Sequence, residues 1–177
     1  HILFIIANNS SVPYFSLFMQ EAAARGTERF SFVAMTPTLP DMIAEAGAFG
    51  FKGYWVPFDE TRRKVGMLQA VWRLYRLFSS LRPDVVHSHL FDDSLPAMLA
   101  ARLAGVPVRV VTKQDTGFHY HYARKWVVAD RFINWNATHV VPPSREALEF
   151  VRDVEGCRPD KLHMIHHGIS TALFPVL

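Results

Sequence analysis

From Ile2 to about His166 the chain alternates short, wholly apolar runs with longer segments whose apolar residues return at helical spacing. The first run, Ile2 to Ala7, is continuous and has the pattern of a strand buried on both faces. A strand of that kind needs cover above and below, and here a helix-length segment follows nearly every strand. Strand-helix-strand units repeated in this way build a mostly parallel sheet with helices on both faces, an α/β fold.

The predicted elements follow in order. Pro13 opens a helix through Phe15, Phe18 and Ala22, with Gly26 just past its end. A strand at Phe30 to Met35, a helix at Asp41 to Ala48 and a brief strand at Tyr54 to Val56, stopped by Pro57, come next. Met67 to Leu81 is an amphipathic helix with Met67, Val71, Leu74 and Phe78 on one face. After a strand at Asp84 to Ser88, Asp93 or Ser94 caps a helix that Gly105 closes. A strand at Val106 to Thr112 then leads to a long aromatic helix from Tyr122 to Trp135. Thr138 to Val141 is a strand, Ser144 caps a helix to about Val154, and Leu162 to His166 is the last strand.

With 177 residues, half of them hydrophobic and a fifth charged, the chain has enough material for one well-cored domain. A lone cysteine, Cys157, rules out an intramolecular disulfide and fits a reducing, cytoplasmic setting. No apolar run approaches the roughly 20 residues that span a bilayer, and the opening lacks the basic leader of a signal peptide. A formal charge of +3 tolerates phosphates or an anionic surface. No basic stripe is interleaved with aromatics, so no nucleic-acid partner is expected.

In parallel sheets ligands sit beyond the carboxyl ends of the strands. That rule selects Asn8, Asn9 and Ser10; His87 and His89; Lys113, Gln114 and Asp115; Ser144; and His167 with Gly168. His87 and His89 lie two apart, so both point the same way if the strand runs that far. They serve as polar cleft contacts, as structural hydrogen-bonding groups, or as a metal pair with Asp92, Asp93, His119 and His121. No closed zinc spacing accompanies them, so no metal is expected. Lys113, Gln114 and Asp115 either meet a ligand or satisfy their own turn. Ser144 caps a helix, and the free amides behind it also suit an anion. No G-x-G-x-x-G follows the first strand, which argues against a dehydrogenase.

Three ordered stretches resemble the retaining GT-B glycosyltransferases of family 4. They are Arg82-Pro83-Asp84-Val85-Val86-His87-Ser88-His89 with the helix ending Ala104-Gly105-Val106-Pro107; Val140-Val141-Pro142-Pro143-Ser144; and Leu162-His163-Met164-Ile165-His166-His167-Gly168-Ile169-Ser170. The resemblance implies that residues 1–170 form a Rossmann-like, acceptor-side domain, one half of a GT-B fold. Residues 171–177 then begin the connection to a donor-binding domain absent from this chain. It further implies transfer of a sugar, with retention, from a nucleotide-sugar donor to a glycan, lipid-linked or small-molecule acceptor. The nucleotide sugar is a co-substrate and no other cofactor is implied; the chain alone is expected to be inactive. A non-catalytic sugar- or lipid-binding module and a GT-B sugar-nucleotide epimerase are the alternatives. His119-Tyr120-His121-Tyr122 can stack on a sugar ring in this setting, or simply begin a half-buried helix. The chain departs from the family pattern in three places. No glycine follows the first strand, Gln114 replaces the histidine of Thr-x-His, and His166-His167 replaces Pro-Asn.

From Arg62 to Arg82 the chain carries Arg62, Arg63, Lys64, Arg73, Arg76 and Arg82 and no acidic residue. Trp72 falls at the border between the apolar stripe and the Arg73/Arg76 face. The pattern fits peripheral docking on the anionic inner leaflet, or a sheet-covering helix with a solvated basic face.

Overall fold

The structure, a computed structural model, describes residues 1–7, 13–26, 29–59, 61, 63–114 and 117–168. Asn8, Asn9, Ser10, Arg62, Asp115 and the expected connection at 171–177 lie outside the described residues, as do the side chains of Arg63 and Lys64. The strands are β1 (Ile2–Ile6), β2 (Phe30–Thr36), β3 (Lys52–Pro57), β4 (Val85–Ser88), β5 (Val108–Thr112) and β6 (His139–Val141). They form one sheet in the order β3-β2-β1-β4-β5-β6, with each neighbouring pair parallel. The helices are α1 (Pro13–Arg25), α2 (Asp41–Ala48), α3 (Arg63–Leu81), α4 (Phe91–Leu103), α5 (Phe118–Tyr122), α6 (Val127–Asn136) and α7 (Arg145–Asp153). This is a Rossmann-like α/β sheet covered on both faces.

Alternation along the strands divides the core into two layers. Phe4, Ile6, Phe32 and Ala34 pack against Phe15 and Met19 of α1 and Met42 and Ala46 of α2. Leu3, Ile5, Val33, Met35 and Val86 face the opposite layer, where Leu74 and Phe78 of α3, Met98 of α4 and Ile133 of α6 meet them. Helix α4 packs between α3 and α6. Its Ala97, Ala100 and Ala101 are fully buried, small enough to let both neighbours approach closely. Strand order reverses between β1 and β4, and a ligand crevice is expected beyond their carboxyl ends.

Three predicted boundaries are corrected. Helix α4 begins at Phe91, three residues ahead of Ser94, because the Asp93 carboxylate accepts the amides of Leu90 (2.9 Å) and His89 (3.2 Å) and draws them into the first turn. The helix predicted over Tyr122–Trp135 is broken. Helix α5 ends at Tyr122, Ala123 takes φ −155° and ψ 62°, a 3₁₀ turn covers Arg124–Trp126, and α6 follows. His119 Nδ1 lies 2.8 Å from Asp130 Oδ2, eleven residues on. In an unbroken helix those residues would stand ~16 Å apart along the axis, so the contact requires the break.

The predicted strand Leu162–His166 is reduced to one bridge between Leu162 and Val140. The amides of His163 and Ile165 donate to the carbonyls of Val140 (3.0 Å) and Pro142 (3.2 Å), so the segment does run beside β6. A second bridge would need a return amide from Pro142, and proline has none. That missing donor ends the pairing.

Candidate functional site

Asp93 ties the crevice together. Besides the two amides that start α4, its other oxygen accepts the amide of Ala7 (3.1 Å), at the end of β1. The Ser94 hydroxyl donates to Asp93 Oδ1 at 3.1 Å and itself receives the Ser88 hydroxyl at 2.9 Å. One carboxylate therefore joins β1, β4 and α4 where the strand order reverses. Burial pushes its carboxyl up to about 7, against four donors that pull it down.

Beyond the ends of β4 and β5 lies a cavity of about 310 Å³, walled by His89, Lys113, Gln114, His119, Asp130 and Glu155 among others. Its floor is an ionic network. Lys113 Nζ, on a side chain one-tenth exposed, lies 2.9 Å from Asp130 and 3.0 Å from Glu155. Asn134 donates to the same Glu155 oxygen at 2.8 Å, and His119 Nδ1 meets the second oxygen of Asp130. With Nδ1 donating to a carboxylate, a neutral His119 keeps its lone pair on Nε2. Gly117 makes this corner possible. Its φ is +80°, and a Cβ there would sit 3.0 Å from the Phe150 ring, so both conformation and space require glycine.

His87, within β4, and His89, just past its end, part company. His87 Nε2 lies 2.8 Å from Thr112 Oγ1, beneath the cavity and not on its wall. His89, 2% exposed, does reach the wall. Its ring stacks on His87 at 4.3 Å and on Phe4 at 5.8 Å, with Phe15 edge-on at 4.9 Å. Desolvation lowers both imidazoles, His87 to about 4; for His89 the neighbouring His87 and His167 push the same way. Both are neutral at neutral pH. Neither ring nitrogen of His89 has a hydrogen-bond partner among the described residues.

Of the other predicted site residues, Lys113 and Gln114 share the cavity with His89. Ser144 caps α7 by accepting the Ala147 amide at 3.1 Å and lies off the cavity wall. His167 rests edge-on against Tyr14 at 5.3 Å, near the first strand's end, and Gly168 is exposed. Sequence reasoning missed Asp130 and Glu155. Asp130 carried a readable signal, since it falls on the same helical stripe as Val127, Ile133 and Asn134, a charge on a face meant for burial. Glu155 stands just after a helix C-terminus, where the dipole disfavours an acid and only a partner cation explains it.

Donors and acceptors thus converge in a concave, partly apolar space. Chemically it can hold a molecule rich in hydroxyls, each of which both donates and accepts.

A family model described as a glycosyl transferase 4-like domain matches residues 12–168. EpsF of Bacillus subtilis strain 168, named as a glycosyltransferase, is 34% identical over 95 residues, which are 51% of this chain and 25% of EpsF. Among solved structures, HepE from Anabaena in complex with UDP and glucose aligns with a TM-score of 0.71 at 14% identity, over 98% of this chain and 46% of HepE. A UDP-GlcNAc 2-epimerase from Neisseria meningitidis, bound to UDP-GlcNAc, aligns with a TM-score of 0.70 at 14% identity, over 94% of this chain and 45% of that one. At such identities the two structures establish the fold alone. The chain spans a quarter of the curated relative it matches and less than half of these solved structures.

Proposed function

This chain belongs to the glycosyl transferase 4-like domain family, and from that premise we propose that it is the acceptor-side half of a retaining glycosyltransferase. The observation that carries the reading is the walled cavity beyond β4 and β5, with His89, Lys113 and Gln114 among its lining residues. In this reading the acceptor occupies the cavity and the nucleotide sugar binds mainly to a second domain facing it. HepE, a protein of this fold, was crystallised with UDP and glucose, which supports a uridine nucleotide sugar as the donor class. His89 and Gln114 then hold acceptor hydroxyls, while His87 acts beneath them by fixing His89 through their stack. His167 and Gly168 belong to the donor-facing rim.

The test compares this chain alone with a longer protein that includes its downstream sequence. Only the longer protein is expected to release UDP from a UDP-sugar in the presence of an acceptor. Turnover by the chain alone would overturn the two-domain reading. The epimerases share the fold, so UDP-GlcNAc converted without any acceptor would favour that chemistry instead.

The reading extends to a cytoplasmic membrane surface. No helix among the described residues is long and apolar enough to cross a membrane. Yet α3 exposes Val65 (54%), Leu68 (74%) and Trp72 (59%), and Leu103 of α4 with Phe132 and Trp135 of α6 are exposed in the same helix layer. The Trp72 ring stacks on Tyr75 at 6.0 Å, and Arg73 donates to the Pro57 carbonyl at 2.6 Å. Apolar residues flanked by Arg76 and the 62–64 basic run suit the headgroup layer of an anionic leaflet. Each basic residue there contributes about 1 kcal/mol. The chain is expected to sediment with vesicles containing anionic lipid at low salt and to be released at high salt. Charge reversal at Arg62, Arg63 and Lys64, or Leu68→Ser with Trp72→Ser, should each abolish it. Sedimentation unchanged by both would leave α3 as scaffold.

A further inference from the structure

Two aromatic rings share the cavity wall with its polar groups. Tyr120 comes from α5 and Phe150 from α7, and both line the cavity while only partly buried. Their rings meet edge-on, with centroids 5.9 Å apart and planes at 76°. Of the other residues at the start of α5, His119 reaches the wall and is tied to Asp130. His121 lies off the wall, and Tyr122 is 79% exposed.

Both rings are held in place. The Arg124 guanidinium lies over the Tyr120 ring, 4.8 Å from its centroid, yet Arg124 is not part of the wall. The cation therefore covers the ring from outside the cavity and fixes its orientation. Gly117 makes room for Phe150, whose ring closes in where an alanine methyl would sit at 3.0 Å. Beside the rings, the exposed Gln114 amide both donates and accepts.

An occupant of this space of about 310 Å³ must offer an apolar face to the rings and hydroxyls to the amide. A pyranose meets both demands, because its axial C–H bonds gather on the ring faces and its hydroxyls project from the rim. A hydrocarbon tail would leave the polar groups unpaired, and an open-chain polyol would turn hydroxyls onto the rings.

We propose that Tyr120 and Phe150 form an aromatic platform on which the acceptor stacks a pyranose ring. This rests on reading the cavity as the acceptor site. It narrows the acceptor to one whose reacting end is a closed sugar ring, whatever that ring is attached to.

The test titrates the chain with methyl β-glucopyranoside and with glucitol, which carries similar hydroxyls but no ring face. Saturation-transfer NMR reads which ligand protons touch the protein, and the Tyr120 and Phe150 ring signals report the site. The glucoside is expected to take up saturation mainly on the axial protons of one face and to shift both ring signals. It should bind about fivefold more tightly than glucitol. Tyr120→Leu and Phe150→Leu should each weaken it by about the same factor. Tyr120→Phe, which keeps the ring, should weaken it less than Tyr120→Leu. Equal binding of the two probes, saturation spread evenly over the glucoside, or leucine variants that bind like the parent would overturn the platform while leaving sugar transfer standing. Should a leucine variant fail to fold, the first two readings, made on the parent chain, decide. If neither probe moves the ring signals, the platform falls together with the placement of the acceptor. UDP release by the longer protein would then still be tested on its own terms.

Discussion

Asp93→Ala is expected to destabilise the chain by about 4 kcal/mol, because it leaves three backbone amides, one buried and two partly buried, without an acceptor at about 1–3 kcal/mol each. The loss should appear as a lower urea midpoint with little change in slope. A loss under about 1 kcal/mol would mean that water reaches these amides and that the carboxylate is not the tie between β1, β4 and α4. The same residue shapes the response to pH. Its folded value lies near 7, above the ordinary carboxylate range, so the stability it contributes is full below about 3.8 and is lost as pH rises through 7. His87 runs the other way. Its folded value near 4 lies below its ordinary 6.5, so its contribution is present above 6.5 and is lost as pH falls through 4; His89 is shifted in the same direction. Between about pH 4 and 6.5 the two slopes oppose each other. Asp93→Asn removes one of them, and its stability should fall more steeply toward acid than that of the parent. Parallel curves for the two proteins would refute the assignment.

Lys113→Met should be comparably damaging, at about 3–5 kcal/mol, the cost of leaving buried carboxylates without their cation. The diagnostic result is rescue. Adding Asp130→Asn and Glu155→Gln to Lys113→Met removes the uncompensated charge and should restore most of the stability. If the triple variant is as unstable as the single one, packing of the lysine stem matters more than its charge. Near-UV circular dichroism, which reports fixed aromatic packing, provides an independent check through the Tyr120 and Phe150 rings.

The layered fold was legible because burial on two faces leaves a local trace. Ile2 to Ile6 is apolar at every position, and α2 occupies the predicted Asp41–Ala48, just after Pro40. The break between α5 and α6 left none. Ala123 is among the best helix formers, and no glycine or proline stands between Tyr122 and Trp135, so local preference argued for continuity. What decided it was the contact of His119 with Asp130, a tertiary matter. The site divides in the same way. His89, Lys113 and Gln114 could be placed from the rule about strand ends, and all three share one cavity. Asp130 and Glu155 come from a helix and from the turn after another, and only the lysine between them gives their positions a meaning.

Pro142 matters beyond the fold of a single molecule. On the outer side of β6 its carbonyl accepts Ile165, but it has no N–H to offer beside it. The other border strand, β3, closes on Pro57. An open sheet invites strands from neighbouring molecules, and that recruitment starts amyloid-like association. Here the β6 border carries a partial flap and a missing donor, and the β3 border ends on a proline. A concentrated solution of this domain should therefore resist aggregation through its sheet edges, even with tryptophans exposed on its helices.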